Sequence, residues 1–322
     1  MAIGQLRSCL LVLALFCLAV SAPAHADKRV ALIIGNSAYR SAPLFNPEND
    51  AELMAKALTS VGFTVSVETN VDGVRFRQAL AEFGRKLQDA DVGFFYYAGL
   101  GLQVGGKNYL VPIDVGPLRE ADVDLFTINA DTVLGQMQQA GTNLNIIVLD
   151  ACRNSPFAGR SLNRGTGEGL AAMIPPAGTL IAFSSSPGTV ALDGPDRNSP
   201  FAAALAEMIR KPGLDLSMIF HSVLDDVARA TRGKQFPWFS TSLIPTFYFI
   251  PPTGAINSGG RILPPPAASA GPSEAERVWA FVKDTSSQAV LEDFIRHFPD
   301  TIYASLAREK LAQLKQKDPT LR

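Results

Sequence analysis

Two residues of this 322-residue chain have the types and the placement for nucleophilic chemistry: Cys152 and, two positions earlier, Asp150, in LNIIVLDACRNSPF from Leu144 to Phe157. A cysteine attacks as its thiolate, so such a site needs a nearby base or a depressed thiol pKa. A second stretch, VGFFYYAGLGLQ from Val92 to Gln103, ends in Gly99-Leu100-Gly101. Both are apolar runs of strand length that stop at small or polar residues, as buried parallel strands do, and open α/β sheets carry their chemistry at those carboxyl ends. One strand end thus offers an acid and a thiol. The other, where a histidine base would be sought, offers leucine.

Cysteine usage makes the thiol more informative. Arg7, the apolar run from Cys9 to Val20 and the small-x-small sequence Ala24-His25-Ala26 read as a signal peptide over residues 1–26. The apolar run is short for a membrane span. Removal of the leader takes Cys9 and Cys17 with it, so Cys152 is the one thiol of the mature chain and an internal disulfide is ruled out. A secreted or periplasmic location follows as the expectation, without stable membrane insertion after cleavage. Free cysteine is also a common inert core residue. Its position past the apolar part of IIVLD favours a site.

The elements that would hold these residues alternate strand and helix. Arg29–Asn36, Phe63–Thr69, the FFYYAG run, IIVLD, TLIAF and Ile244–Ile250 read as six strands. Helices are expected from Asn46 to about Ser60, Val74–Leu87, Asn129–Ala140, Phe201–Ile209 and Leu216–Ala230, with a Gly105-Gly106 hairpin returning at Lys107–Pro112. The fold class is α/β: a six-stranded, mainly parallel sheet flanked by helices. Polar stretches at Arg153–Gly169 and Pro187–Asn198 follow two of the strands. Such long loops are usually functional or mobile.

Past this domain, 27–250, the stretch 251–273 is rich in proline and glycine and reads as a linker. Residues 274–322 carry helical patterns that form a small all-α tail resembling one tetratricopeptide-like unit, with a protein partner as its expected use. A net charge of −1, with 47% hydrophobic and 18% charged residues, excludes a disordered chain and gives no basic patch for nucleic acid. No cofactor or metal is expected.

The blocks KRVALIIGNSAY, NPENDAELMAKAL, FFYYAGLGLQVGGKNYLVP, IIVLDACRNSPF, GTLIAFSSSPG, NSPFAAAL and PTFYF occur in order between about Lys28 and Ile250. Together they resemble bacterial caspase-like cysteine peptidases, the metacaspase and orthocaspase branch of peptidase C14. The resemblance implies a caspase-type sheet with large- and small-subunit portions in one chain. It also implies Cys152 as the nucleophile, Gly101 as an oxyanion donor through its backbone N–H, and Asp50 and Asp150 lining a pocket for Arg or Lys in peptide or protein segments. Asp50 reads equally well as a solvated helix residue. The family histidine position is Leu100, and Asn154-Ser155 stands where many bacterial relatives have Asp-Asn.

Leucine can neither draw a proton from the thiol nor protonate a leaving amine. An unassisted thiol near pKa 8.5 is a few per cent thiolate at pH 7, and a lost acid–base group is worth about 10²–10⁴-fold. An apolar neighbour raises the thiol pKa further. His221 in MIFHSVLDDVA and His297 in the tail are the remaining mature-chain histidines, and Tyr96, Tyr97 and Lys107 lie near the strand end but are poor bases at ordinary pKa. Three readings follow: a degenerate homologue that binds basic segments; a residually active endopeptidase cutting after Arg or Lys, with self-processing at Arg160 or Arg164; and a thiol redox protein.

Overall fold

The computed structural model describes residues 27–40, 42–116, 118–152, 169–186, 191, 196–242, 244–252, 278–279, 282–283, 288–298 and 301–317. The expected leader at 1–26, the segment 153–168 with Arg160 and Arg164, and most of the 251–273 linker lie outside the described residues. The chain divides into two compact units, Met1–Pro264 and Pro265–Arg322.

In the first unit β1 (Arg29–Gly35), α1 (Pro47–Ser60), β2 (Phe63–Thr69), α2 (Gly73–Lys86) and β3 (Val92–Val104) alternate as expected. After β3 come β4 (Lys107–Leu110), the one-turn α3 (Val123–Phe126), β5 (Ile128–Asn129), α4 (Ala130–Gln139) and β6 (Leu144–Cys152). The unit continues through β7 (Thr179–Phe183), α5 (Pro200–Ile209), α6 (Leu216–Ala230) and β8 (Trp238–Thr241). The main sheet runs β2-β1-β3-β6-β7-β8, parallel except for β8, and β4 folds back on the end of β3. Gly105 and Gly106 make that return with φ of 57° and 77°, angles that suit glycine at both central positions of a type I′ turn.

Side chains of a strand alternate between faces, and the two faces of this sheet have separate cores. Ile33, Phe94, Tyr96, Ile146 and Val148 pack beneath α1, α5 and α6, against Met54, Leu58, Phe201, Leu205, Ile219 and Val223. Leu32, Phe95, Tyr97, Ile147 and Leu149 pack on α2 and α4, against Phe76, Phe83, Val133 and Met137. The helix starts are set by short polar side chains. Asp72 accepts from Arg75 N at 2.7 Å, Asp215 from Met218 N at 2.8 Å, and Ser199 Oγ from Ala202 N at 3.0 Å.

One expected strand is absent. Ile244–Ile250 is no ladder strand, and the sixth strand is Trp238–Thr241, running antiparallel to β7. The cause is a competing set of hydrogen bonds. Buried Arg29 donates to Phe249 O at 3.0 Å and Tyr248 O at 3.4 Å, while Leu216 N and Gly213 N take Phe247 O and Ile250 O. Phe247 and Phe249 are thereby turned into the core, with the Arg29 guanidinium 4.9 Å from the Phe247 ring centre. Alternating apolar residues gave a strand pattern, but their carbonyls were taken by a side chain and by the start of α6.

In the second unit, α7 (Gln288–His297) and α8 (Ile302–Lys317) enclose Leu291, Phe294 and Ala307, with Trp279 5.5 Å from Phe294 between ring centres.

Candidate functional site

Strands β3 and β6 lie side by side in parallel register, and the last pair of that register is Leu100 with Cys152. Cys152 is described by its backbone alone. Two strand ends separated in sequence by β4, α3, β5 and α4 are brought together by hydrogen bonding from Val92–Leu144 onward, without a slip.

Leu100 is 1% exposed and belongs to an apolar cluster with Tyr39, Leu102, Tyr109, Val111, Val115 and Val123. Its backbone is held by two buried phenols. Leu100 N donates to Tyr39 Oη at 2.9 Å, and Tyr97 Oη donates to Leu100 O at 2.8 Å. Val111 N also donates to Leu100 O, at 3.0 Å, and the two hydroxyls lie 3.1 Å apart. A Cβ on Gly99 would sit 2.7 Å from each hydroxyl, so this close approach requires glycine.

Gly101 is the next residue, and its N–H direction follows from the ladder. Ala98 O accepts from Asn36 N beyond β1, and Leu100 uses both its N–H and its C=O on that same side, where β4 lies. Alternate residues of a strand turn their N–H to opposite edges, so that of Gly101 is directed to the β6 edge. A Cβ there would meet Ala151 Cβ and Leu170 Cδ2, each at 3.0 Å.

The two acids converge on the other side of the strand ends. Asp150 shares its sheet face with Ile146 and Val148, the face covered by α1 and α5, and Asp50 lies in the first turn of α1. They are 4% and 2% exposed, which removes the solvated-helix reading of Asp50. Ser199 joins them. Its N donates to Asp50 Oδ1 at 3.0 Å, and its Oγ donates to Asp150 Oδ2 at 2.8 Å. Asn198 Nδ2 adds a bond to Asp50 Oδ1 at 2.9 Å and Tyr96 Oη one to Asp150 Oδ2 at 3.0 Å. Burial first, and then the neighbouring Asp150 charge, push Asp50 up to about 7, although Asn198 and Ser199 pull the other way. Sequence reasoning passed over Ser199, whose signal was the Ser-Pro pair before FAAAL, a helix-start signature. It also passed over Tyr39, which nothing local distinguishes.

No described histidine serves the strand ends. His221 is exposed on α6, with Nδ1 2.8 Å from Ser217 O and its ring edge-on to Phe239. His297 closes α7 in the second unit. Tyr109 is a poor base, because burial, followed by Asp124 and Asp131, raises its pKa to about 12.

Comparison with known proteins bears on the fold and the family. A stretch of 130 residues is 33% identical to human mucosa-associated lymphoid tissue lymphoma translocation protein 1, and 32% identical to its mouse homologue. Each match covers 40% of this chain and 15% of the relative. Among solved structures, pro-sf-caspase-1 superposes with a TM-score of 0.52 at 20% identity, covering 70% of this chain and 92% of that one. The Drosophila initiator caspase Dronc gives 0.50 at 14% identity, over 68% and 82%. At those identities the likeness is one of fold: a mainly parallel sheet flanked by helices. The family model described as Caspase domain matches residues 28–248, which is most of the chain. With its sheet order, its paired strand ends and that match, the chain belongs to the caspase-domain family, peptidase C14.

Proposed function

We propose that this chain is an exported caspase-domain protein impaired in peptide hydrolysis, which recognises basic segments of peptides or proteins through Asp50 and Asp150. The observation that carries the impairment is Leu100. It stands opposite Cys152 in the β3–β6 register and is sealed in an apolar cluster, where an acid–base group would have to stand. Cys152 is the nucleophile position, and Gly101 N–H, directed to the β6 edge, is the oxyanion donor. Two enclosed carboxylates joined through one serine suit a guanidinium or ammonium, because charge-assisted bonds are strong where water is excluded. Export rests on residues 1–26, and the helical tail is assigned a partner-binding role. The domain scheme is leader, caspase domain to 250, linker and tail.

A residually active endopeptidase is the second reading, favoured by the Gly101 N–H direction and by the intact acid pair. Fluorogenic peptides ending in Arg, Lys or citrulline, offered to the wild type and to Cys152→Ala, separate the two. The impaired reading expects equal turnover by both proteins on every peptide, with Arg and Lys peptides competing for binding better than citrulline. Arg-specific turnover abolished by Cys152→Ala would establish the active reading instead.

A further inference from the structure

The main sheet ends at β2, and among the described residues no strand lies outside it. Which of its backbone groups are left at that free edge follows from one bond. Asn70 N donates to Gly35 O, and Gly35 stands opposite Thr69 in the β1–β2 register. Asn70 therefore turns its N–H toward β1, and so do Thr64, Ser66 and Glu68, because alternate residues of a strand address the same edge. Phe63, Val65, Val67 and Thr69 direct their backbone groups outward. An edge strand is commonly blunted by lysine, proline or a bulge. The run FTVSV from Phe63 to Val67 contains neither residue, and its pairing with β1 proceeds residue by residue without a bulge.

We propose that this edge docks a second copy of the chain, with β2 pairing antiparallel to the partner's β2 about a two-fold axis at Ser66. Antiparallel strands exchange N–H···O bonds only between residues that both face the shared edge. An axis at Ser66 sets Val65 opposite the partner's Val67 and Phe63 opposite the partner's Thr69, with the reciprocal pairs by symmetry, so every outward residue is used. An axis at any other residue leaves an end of the strand unpaired. The side chains fit the same axis. On the α1 face, Val67 is 44% exposed and borders a groove of about 770 Å³ with Ala55, Lys56, Thr59 and Ser60 of α1. The partner's Val65 would cover it in a cross-strand pair of β-branched residues. On the α2 face, Ser66 meets the partner's Ser66 and Glu68 meets the partner's Thr64, so no like charges are directly opposed. Lys86, whose Nζ donates to Ser66 Oγ at 2.8 Å, has the partner's Glu68 diagonally across the joint. One strand thus supplies both halves of the contact, as a two-fold interface requires, and that self-match selects a second copy over an unrelated extended segment.

The test uses the chain from residue 27 onward, in which Cys152 is the one thiol, and analytical ultracentrifugation over a concentration series. The wild type should pass reversibly from monomer to dimer. Val67→Pro removes an outward N–H while leaving the β1 ladder its bonds, and should raise the dissociation constant at least about tenfold. Val67→Lys keeps the backbone as it is, sets a charge against the partner's Val65 and should weaken the dimer likewise. The register is read separately, in a Cys152→Ala background. Ser66→Cys should form an intermolecular disulfide on mild oxidation, because residues opposed at a non-hydrogen-bonded position have Cα atoms about 4.5 Å apart. Thr64→Cys should not, since its counterpart is the partner's Glu68. A monomer at every concentration, including one whose β2 edge takes up an unrelated peptide, overturns the inference. So does a dimer that both Val67 variants leave unchanged, or one in which Ser66→Cys forms no disulfide or Thr64→Cys forms it as readily.

Discussion

Replacing Leu100 with histidine would put an imidazole on the residue that stands opposite Cys152, on a backbone already fixed by Tyr39 and Tyr97. Removing a fully buried leucine side chain costs about 2 kcal/mol of apolar burial. If the ring stayed in the cluster of Leu102, Tyr109, Val111 and Val115, an unsatisfied nitrogen would add about 1–3 kcal/mol. A ring that turned to the β6 edge would avoid that second loss. The stability difference therefore reports where the imidazole goes: about 2 kcal/mol for the edge, about 3–5 kcal/mol for the cluster. Either is tolerable for a domain of ordinary stability. A general base at the edge is worth about 10²–10⁴-fold in turnover. The assay pairs denaturant unfolding with hydrolysis of an arginine reporter by Leu100→His and by Leu100→His/Cys152→Ala. The expected outcome is the smaller stability loss together with Cys152-dependent hydrolysis. A variant that folds with the smaller loss and shows no gain in turnover would refute it, since the leucine would then not be what withholds activity.

Other expected outcomes concern the scaffold. Asp50 binds its proton more tightly folded, at about 7, than at its ordinary 3.8, so stability is greatest in acid and is lost as pH rises from about 4 to about 7, levelling beyond. The loss is at most about 4 kcal/mol; Asp50→Asn should remove that slope and be the more stable protein at pH 8, and parallel pH profiles of the denaturation midpoints would contradict this. Tyr39→Phe strips Leu100 N of its acceptor and should cost about 1–3 kcal/mol in thermal or urea unfolding, with no effect on the tail unit. Arg29→Met leaves Val61 O, Tyr248 O and Phe249 O without their charged donor, and should lower stability by at least about 3 kcal/mol; a neutral result would show that the aromatic packing and the Leu216 and Gly213 bonds hold 244–250 without it.

Much of the fold was legible because its signals are local and repeated. Buried parallel strands such as Ile146–Leu149 are continuous apolar runs, and α6 was readable to its last residue because its caps and its apolar stripe agree. The strand misplaced at Ile244–Ile250 failed for a non-local reason, since Arg29, more than 200 residues away in sequence, takes its carbonyls. At the site, Cys152, Leu100 and Gly101 announce themselves by type and by position at strand ends. Asp50 gave no such signal, because an acid in the first turn of a helix is usually a solvated residue that favours the dipole. Only the convergence of α1 and β6 on Ser199, which bonds both acids, makes it a buried member of a pair. Tyr39 was hidden likewise: its importance is a hydroxyl placed on a backbone amide 61 residues away.

That Cys152 works without an acid–base partner is a proposal drawn from the described residues, and the pH dependence of its alkylation tests it most directly. Iodoacetamide reacts with the thiolate, so the rate follows thiol ionisation. For the native chain from residue 27 onward, in which Cys152 is the one thiol, the rate should be slow at pH 7 and still rising at pH 8.5, as for a thiol without an ion-pair partner. A plateau reached below pH 7, the mark of a thiolate held by a neighbouring cation, would contradict it.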